Sequence, residues 1–175
     1  MTPNYPEAMV PELERCFDRL GFSGIKIHLH SGRAYDDPLY APMYAFADAR
    51  QLPILAHTWG VDSIRALGNM AARYPNAPFL CGHTGAQDTQ VYVDETRRSP
   101  NLCLELCLSA GTPWIVEDLV RSVGAERIVW GSDTLLLSSG QQIGKVLFAD
   151  LPEQSKLDIL GLNAARIFGL TDQIH

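Results

Sequence analysis

The chain has no apolar run approaching the roughly 20 residues that a membrane-spanning helix requires, so a membrane partner is not expected. It also has no basic cluster. Its 14 Lys+Arg stand against 20 Asp+Glu, a formal net charge of −6, so nucleic acid is not an expected partner either. The opening MTPNYPEAM has neither the basic n-region nor the apolar h-region of a secretory signal. No CxxC pair occurs among Cys16, Cys81, Cys103 and Cys107, which leaves a structural zinc site without spacing support. These thiols are expected to act as small core residues in a reducing, cytoplasmic setting. No low-complexity stretch or linker interrupts the chain, so residues 1–175 read as one domain.

What is present is a regular alternation of strand and helix. Hydrophobic residues make up 46% of the chain, enough for a substantial core. Pro11 is expected to open a helix with Leu13, Cys16, Phe17 and Leu20 as its apolar stripe, closed by Gly21. GIKIHLH (Gly24 to His30) reads as a strand, and Ser31 to Leu39 as a loop. Pro42 to Arg50 reads as a helix and Pro53 to His57 as a strand. Val61 to Arg73 is helical by the spacing of Val61, Ile64, Leu67 and Ala71. Phe79 to Gly82 is a strand, 87 to 98 a helix, and Leu102 to Leu106 a buried strand. Thr112-Pro113 reads as a helix start, with Gly124 as its end. Arg127 to Gly131 is the last strand, and two or three short helices follow, near Pro152 and near Leu162, with Asn163 as an N-cap. Strands recurring about every 25 residues with helices between them imply parallel pairing through helical crossovers. The expected fold is α/β, a parallel (β/α) barrel type of about five units and therefore incomplete, since about 250 residues is usual for a full barrel.

The carboxyl ends of parallel strands share one face, where side chains converge. His57, His83 and Asp133 each follow a short apolar run and sit at such an end. Lys26, His28 and His30 belong to the first strand and Glu105 to the fourth. Imidazole and carboxylate together suit zinc or a similar divalent ion, which would acidify a bound water, with a nearby His or Asp to shuttle the proton. Lys26 is open to a catalytic or an ion-pairing role, and Glu105 to substrate contact or to a polar place in the barrel interior. Trp59, Trp114 and Trp130 read first as packing, with Trp59 the best candidate for a pocket wall. His28 and His30, two apart on a strand, would point to one side and could themselves bind metal.

Taken in order, G-x-K-I-H (Gly24 to His28), LPILAHT (Leu52 to Thr58), GHTG (Gly82 to Gly85), RIVWGSD (Arg127 to Asp133) and NAARIFGL (Asn163 to Leu170) resemble the amidohydrolase-related proteins of the amidohydrolase 2 group, which includes aminocarboxymuconate semialdehyde decarboxylase. The resemblance implies a metal-dependent hydrolase or non-oxidative decarboxylase acting on a small organic substrate. It implies His57 as a metal ligand, Asp133 as a carboxylate ligand, and His83 as the residue that handles the proton. His28, Lys26, Trp59 and Glu105 become candidate substrate contacts. The implied cofactor is a divalent metal, zinc or manganese. The five strands would match the fourth to eighth of a barrel. Family members usually open with a strand bearing a His-x-His metal pair, and none precedes Gly24. The chain is then a fragment of a longer barrel or a reduced natural form, in which the metal is absent or the activity is lost. The alternative is a non-catalytic remnant that binds a ligand or partner subunit. An incomplete sheet has open edges, so a homo-oligomer is expected.

Overall fold

A computed structural model describes residues 1–107 and 113–170. Its elements, in order, are α1 (Pro6–Glu14), β1 (Ile25–Ile27), α2 (Ala41–Arg50), β2 (Ile54–His57), α3 (Val61–Arg73), β3 (Phe79–Gly82), α4 (Thr89–Arg98), β4 (Leu102–Glu105), α5 (Ile115–Val123), β5 (Ile128–Val129), α6 (Ser139–Leu147), α7 (Glu153–Leu157) and α8 (Asn163–Ile167). The five strands form one sheet in the order β1-β2-β3-β4-β5, and every neighbouring pair is parallel. Spatial order therefore equals chain order. A doubly wound sheet would reverse somewhere along its width; this sheet never does, and it is an open portion of a (β/α) barrel.

The register explains which residues face which side. Ile25, Ile54, Phe79 and Leu102 lie in one row, and Lys26, Leu55, Leu80 and Cys103 in the next. Successive side chains on a strand alternate. The first row joins the main core beneath the helices, with Leu67, Tyr92 and Leu119. The second row belongs to the concave face, where Leu80, Cys103 and Val129 form a smaller cluster with Ile167 from α8. Leu55 and Phe168 pack against its margin. Strands β2 to β5 are apolar on both faces for most of their length, which is why their sequences show continuous runs rather than alternation. Strand β1 alternates, with Lys26 exposed between Ile25 and Ile27.

Several local expectations are corrected. The first helix begins at Pro6, and Pro11 lies inside it. Proline at the first turn costs nothing because that N–H has no partner anyway, so Pro6 takes the role assigned to Pro11. Leu20 is exposed rather than part of a buried stripe, because the helix ends in a π-type turn (Arg15–Arg19) before Gly21 reverses the chain at φ 69°. Strand β1 stops at Ile27, and a 3₁₀ turn takes over at Leu29–Ser31. His30 therefore does not share a strand face with His28, although the two rings still lie 4.2 Å apart between centroids. Thr112 lies outside the described residues, and α5 starts after Trp114. Asn163 is not an N-cap: α7 runs through a π-type turn (Asp158–Leu162) into α8, and the Asn163 amide donates to the carbonyls of Ala125 and Ile128 at 2.8 Å each. Among the described residues, no helix is long and apolar enough to cross a membrane.

Candidate active site

Buried tyrosines fix the backbone at the end of β2. The Tyr35 hydroxyl donates to the His57 carbonyl and Tyr44 donates to the Tyr35 carbonyl at 2.8 Å. Tyr92 donates to the carbonyl of Thr58 at 3.3 Å. All three rings are fully buried, so each hydroxyl needs a partner; Tyr35 and Tyr92 hold His57 at the end of β2 and Thr58 just beyond it, and Tyr44 holds Tyr35. Burial raises the pKa of all three hydroxyls, keeping them protonated donors.

His83 and Asp133 reach the same face by another device. Both adopt left-handed backbone conformations, φ 65° and 48°. Such values are uncommon outside glycine, although His and Asp tolerate them better than most. The turn after β3 is held by Thr84, whose hydroxyl donates to the Cys81 carbonyl and whose N–H donates to the Glu105 carbonyl. Strained backbone of this kind persists where its surroundings enforce it and concentrates at functional sites.

His83 Nε2 lies 2.8 Å from His57 Nδ1. The His28 ring stacks on His57 with centroids 4.0 Å apart, and the His28 Nδ1 accepts the His30 N–H at 3.1 Å. Trp59 lies nearly parallel to His57 at 6.3 Å and edge-on to His83 at 6.2 Å. It is 45% exposed, so it forms a rim rather than core packing. Desolvation, helped by the neighbouring imidazoles and Lys26, pushes His57 down to about 4. Burial also lowers His83, against the pull of Glu105 and Asp133, and lowers His28.

On the other side of His83 lies a concavity of about 240 Å³, lined by Lys26, His83, Glu105, Cys107, Trp130 and Asp133 among others. Solvent reaches Lys26, yet desolvation around its amine lowers its pKa, opposed by Glu105, Cys107 and Asp133. Glu105 is buried. Its carboxylate accepts the His83 N–H at 3.2 Å, the Cys107 N–H at 2.9 Å and the Cys107 thiol at 2.7 Å. The Cys107 Sγ also lies 3.1 Å from His83 Nδ1. Gly131 makes room for this carboxylate: a Cβ there would overlap Glu105 Oε1.

Lys26, His83, Glu105 and Asp133 thus share one concavity, while His57, His28 and Trp59 stand beside it and connect through His83. Cys107 is the residue that sequence reasoning passed over as a core thiol. Its signal was its place two residues after Glu105, at the mouth of β4.

His57 and Asp133 offer an imidazole and a carboxylate, the right donor types for zinc or manganese. Their number is short of the three protein donors that catalytic centres use, and no three His, Cys, Asp or Glu side chains are grouped to hold an ion among the described residues.

The fold is similar to that of three decarboxylases. The first is 2,6-dihydroxybenzoate decarboxylase from Rhizobium, with TM-score 0.73, 18% identity, and coverage of 94% of this chain and 68% of that chain. The second is 5-carboxyvanillate decarboxylase from Sphingomonas paucimobilis, with TM-score 0.81, 20% identity and coverage of 97% and 65%. The third is a dihydroxybenzoic acid decarboxylase from Polaromonas sp. JS666, solved with manganese and 2-nitroresorcinol, with TM-score 0.75, 19% identity and coverage of 94% and 66%. The chain therefore spans about two thirds of the length of these proteins. Identities this low speak for the fold alone. A family model described as amidohydrolase matches residues 1–170; with strand-end histidines and a strand-end aspartate on a parallel barrel-type sheet, the chain belongs to the amidohydrolase family.

Proposed function

We propose that the chain carries an amidohydrolase-type site for a small carboxylated organic molecule, which it cleaves by non-oxidative decarboxylation or hydrolysis. The observation that carries this reading is the meeting of His57 and His83 at 2.8 Å beside a concavity that Lys26 and Asp133 also line. Uncharged imidazoles are suited to general acid–base work near neutral pH. In a decarboxylation, His83 would return a proton to the carbon that loses carbon dioxide. In a hydrolysis, it would take a proton from the attacking water, with Asp133 assisting. The Lys26 ammonium would attract the substrate carboxylate, and Trp59, His28 and Glu105 would bound the substrate. Candidate substrates are hydroxylated benzoates, by analogy with the decarboxylases of similar fold.

His57 and Asp133 would be the two residues to hold a divalent ion, zinc or manganese; among the described residues no third His, Cys, Asp or Glu is grouped with them. Such an ion supplies Lewis acidity to the reacting group. The five strands would correspond to the fourth to eighth of a full barrel, in a cytoplasmic protein that associates with itself through the outer edges of β1 and β5.

A second reading, ligand or partner binding without turnover, is favoured by one observation: among the described residues no three His, Cys, Asp or Glu side chains are grouped to hold an ion. Carbon dioxide release from a panel of hydroxybenzoates separates the two. Turnover that vanishes in His83→Ala supports catalysis. Turnover retained in that variant overturns the role of His83, and binding of the same acids without turnover supports the second reading.

A further inference from the structure

Four side chains form an unbroken line: Glu105, Cys107 and His83, which line the concavity, and His57, which stands beside it. The direction of each hydrogen bond in it can be worked out. Glu105 accepts from two backbone N–H groups and from the Cys107 thiol, and a thiol has one proton to give. The single thiol proton is therefore committed to Glu105. The Cys107 sulfur, 3.1 Å from His83 Nδ1, has only lone pairs left to offer. His83 Nδ1 must then carry the ring proton, and neutral His83 keeps a bare lone pair at Nε2. That lone pair faces His57 Nδ1, which must in turn be the protonated nitrogen of its own ring.

From this geometry we infer that Glu105 and Cys107 are positioning residues that fix the tautomer of His83. They hold its proton at Nδ1 and leave Nε2 as the accepting nitrogen, which the His57 N–H fills here, so that a proton in the proposed reaction would pass between His83 and His57. The inference deepens the proposed function and rests on it for its catalytic consequence, but the tautomer itself does not depend on turnover. It also explains why a carboxylate is buried here. Glu105 orients the thiol and, through its bond to the His83 N–H, the strained turn as well. Gly131 fits the same purpose, because any larger residue would occupy the place of the carboxylate. Second-layer partners of this kind commonly set which imidazole nitrogen is protonated.

The test is nitrogen-15 NMR of histidine-labelled protein at neutral pH, with His83 assigned through His83→Gln. The expected result is a protonated Nδ1 and an unprotonated Nε2 on His83 in the wild type. Cys107→Ser, which keeps a donor and an acceptor, should preserve that state. Cys107→Ala should shift the ring toward the Nε2-protonated form and lower kcat at least tenfold with little change in KM. Finding His83 protonated at Nε2 in the wild type would overturn the inference, as would an unchanged tautomer in Cys107→Ala. Because the wild-type spectrum is decisive alone, misfolding of a variant does not leave the matter open. The tautomer can be right even if no acid in the panel is turned over, which separates this inference from the proposed function.

Discussion

His57 Nδ1 and His83 Nε2 stand 2.8 Å apart, although His57 ends β2 and His83 follows β3, 26 residues on in sequence. Neighbouring parallel strands in register bring His57 opposite Gly82, and the left-handed backbone at His83 then turns its ring back toward β2. Strand pairing sets the approach, and one strained residue closes the gap.

The low pKa of His57 has a consequence for acid stability. Its folded value, about 4, lies below the ordinary histidine range. The unfolded chain therefore binds a proton first as pH falls. The stability this group contributes is complete above about pH 6.5 and is lost between there and about pH 4. After discounting for solvent screening, the loss is about 1 kcal/mol, or about 2–4 °C in Tm. His57→Gln should flatten that part of the Tm-against-pH curve; an identical curve for both proteins would contradict the assignment.

Gly131→Ala should disturb the site without touching a histidine. The new Cβ would collide with Glu105 Oε1, so the carboxylate must leave its three donors. Overpacking of this sort costs about 1–3 kcal/mol. Denaturant titration should show that loss, and turnover should fall with it. Unchanged stability would mean that Glu105 has a second place to go.

Asn163→Ala should lower stability by about 1–3 kcal/mol, because it strips partners from the Ala125 and Ile128 carbonyls. Thermal unfolding measures this directly. Arg15→Ala, which removes an exposed ion pair to Glu12, should leave Tm where it is. If the two variants were alike, the Asn163 amide would not be the clamp between β5 and α8.

Self-association through the sheet edges can be read by light scattering. The edges are not wholly bare: the Met1 ammonium donates to the Lys26 carbonyl at 2.6 Å, and the Trp130 N–H donates to the Ile159 carbonyl at 2.9 Å. The expected species is a dimer or larger, and a monomer persisting at high concentration would reject the proposal.

Much of this arrangement was legible in the sequence. The helix at Val61–Arg73 and the strand at Phe79–Gly82 have the bounds that their residues predict, because amphipathic spacing in one and a short apolar run closed by glycine in the other leave little ambiguity. His57, His83 and Asp133 mark the shared face by recurring at several strand ends, since any one of them alone reads as readily as a satisfied polar residue. What the sequence hid was set by tertiary contact. The Asn163 amide reaches backward to β5, which no local pattern announces. The end of β1 at Ile27 depends on the 3₁₀ turn that follows. Cys107 looked like core filling because a thiol's partners, here Glu105 and His83, are visible only in space.

The most direct test of the site is metal content per chain, measured by elemental mass spectrometry after equilibration with zinc or manganese, in the wild type, His57→Ala and Asp133→Ala. The expected result is close to one equivalent in the wild type and a large loss in both variants. A wild type that retains no ion, or variants that retain as much as the wild type, would contradict the assignment of His57 and Asp133 as the metal-holding pair.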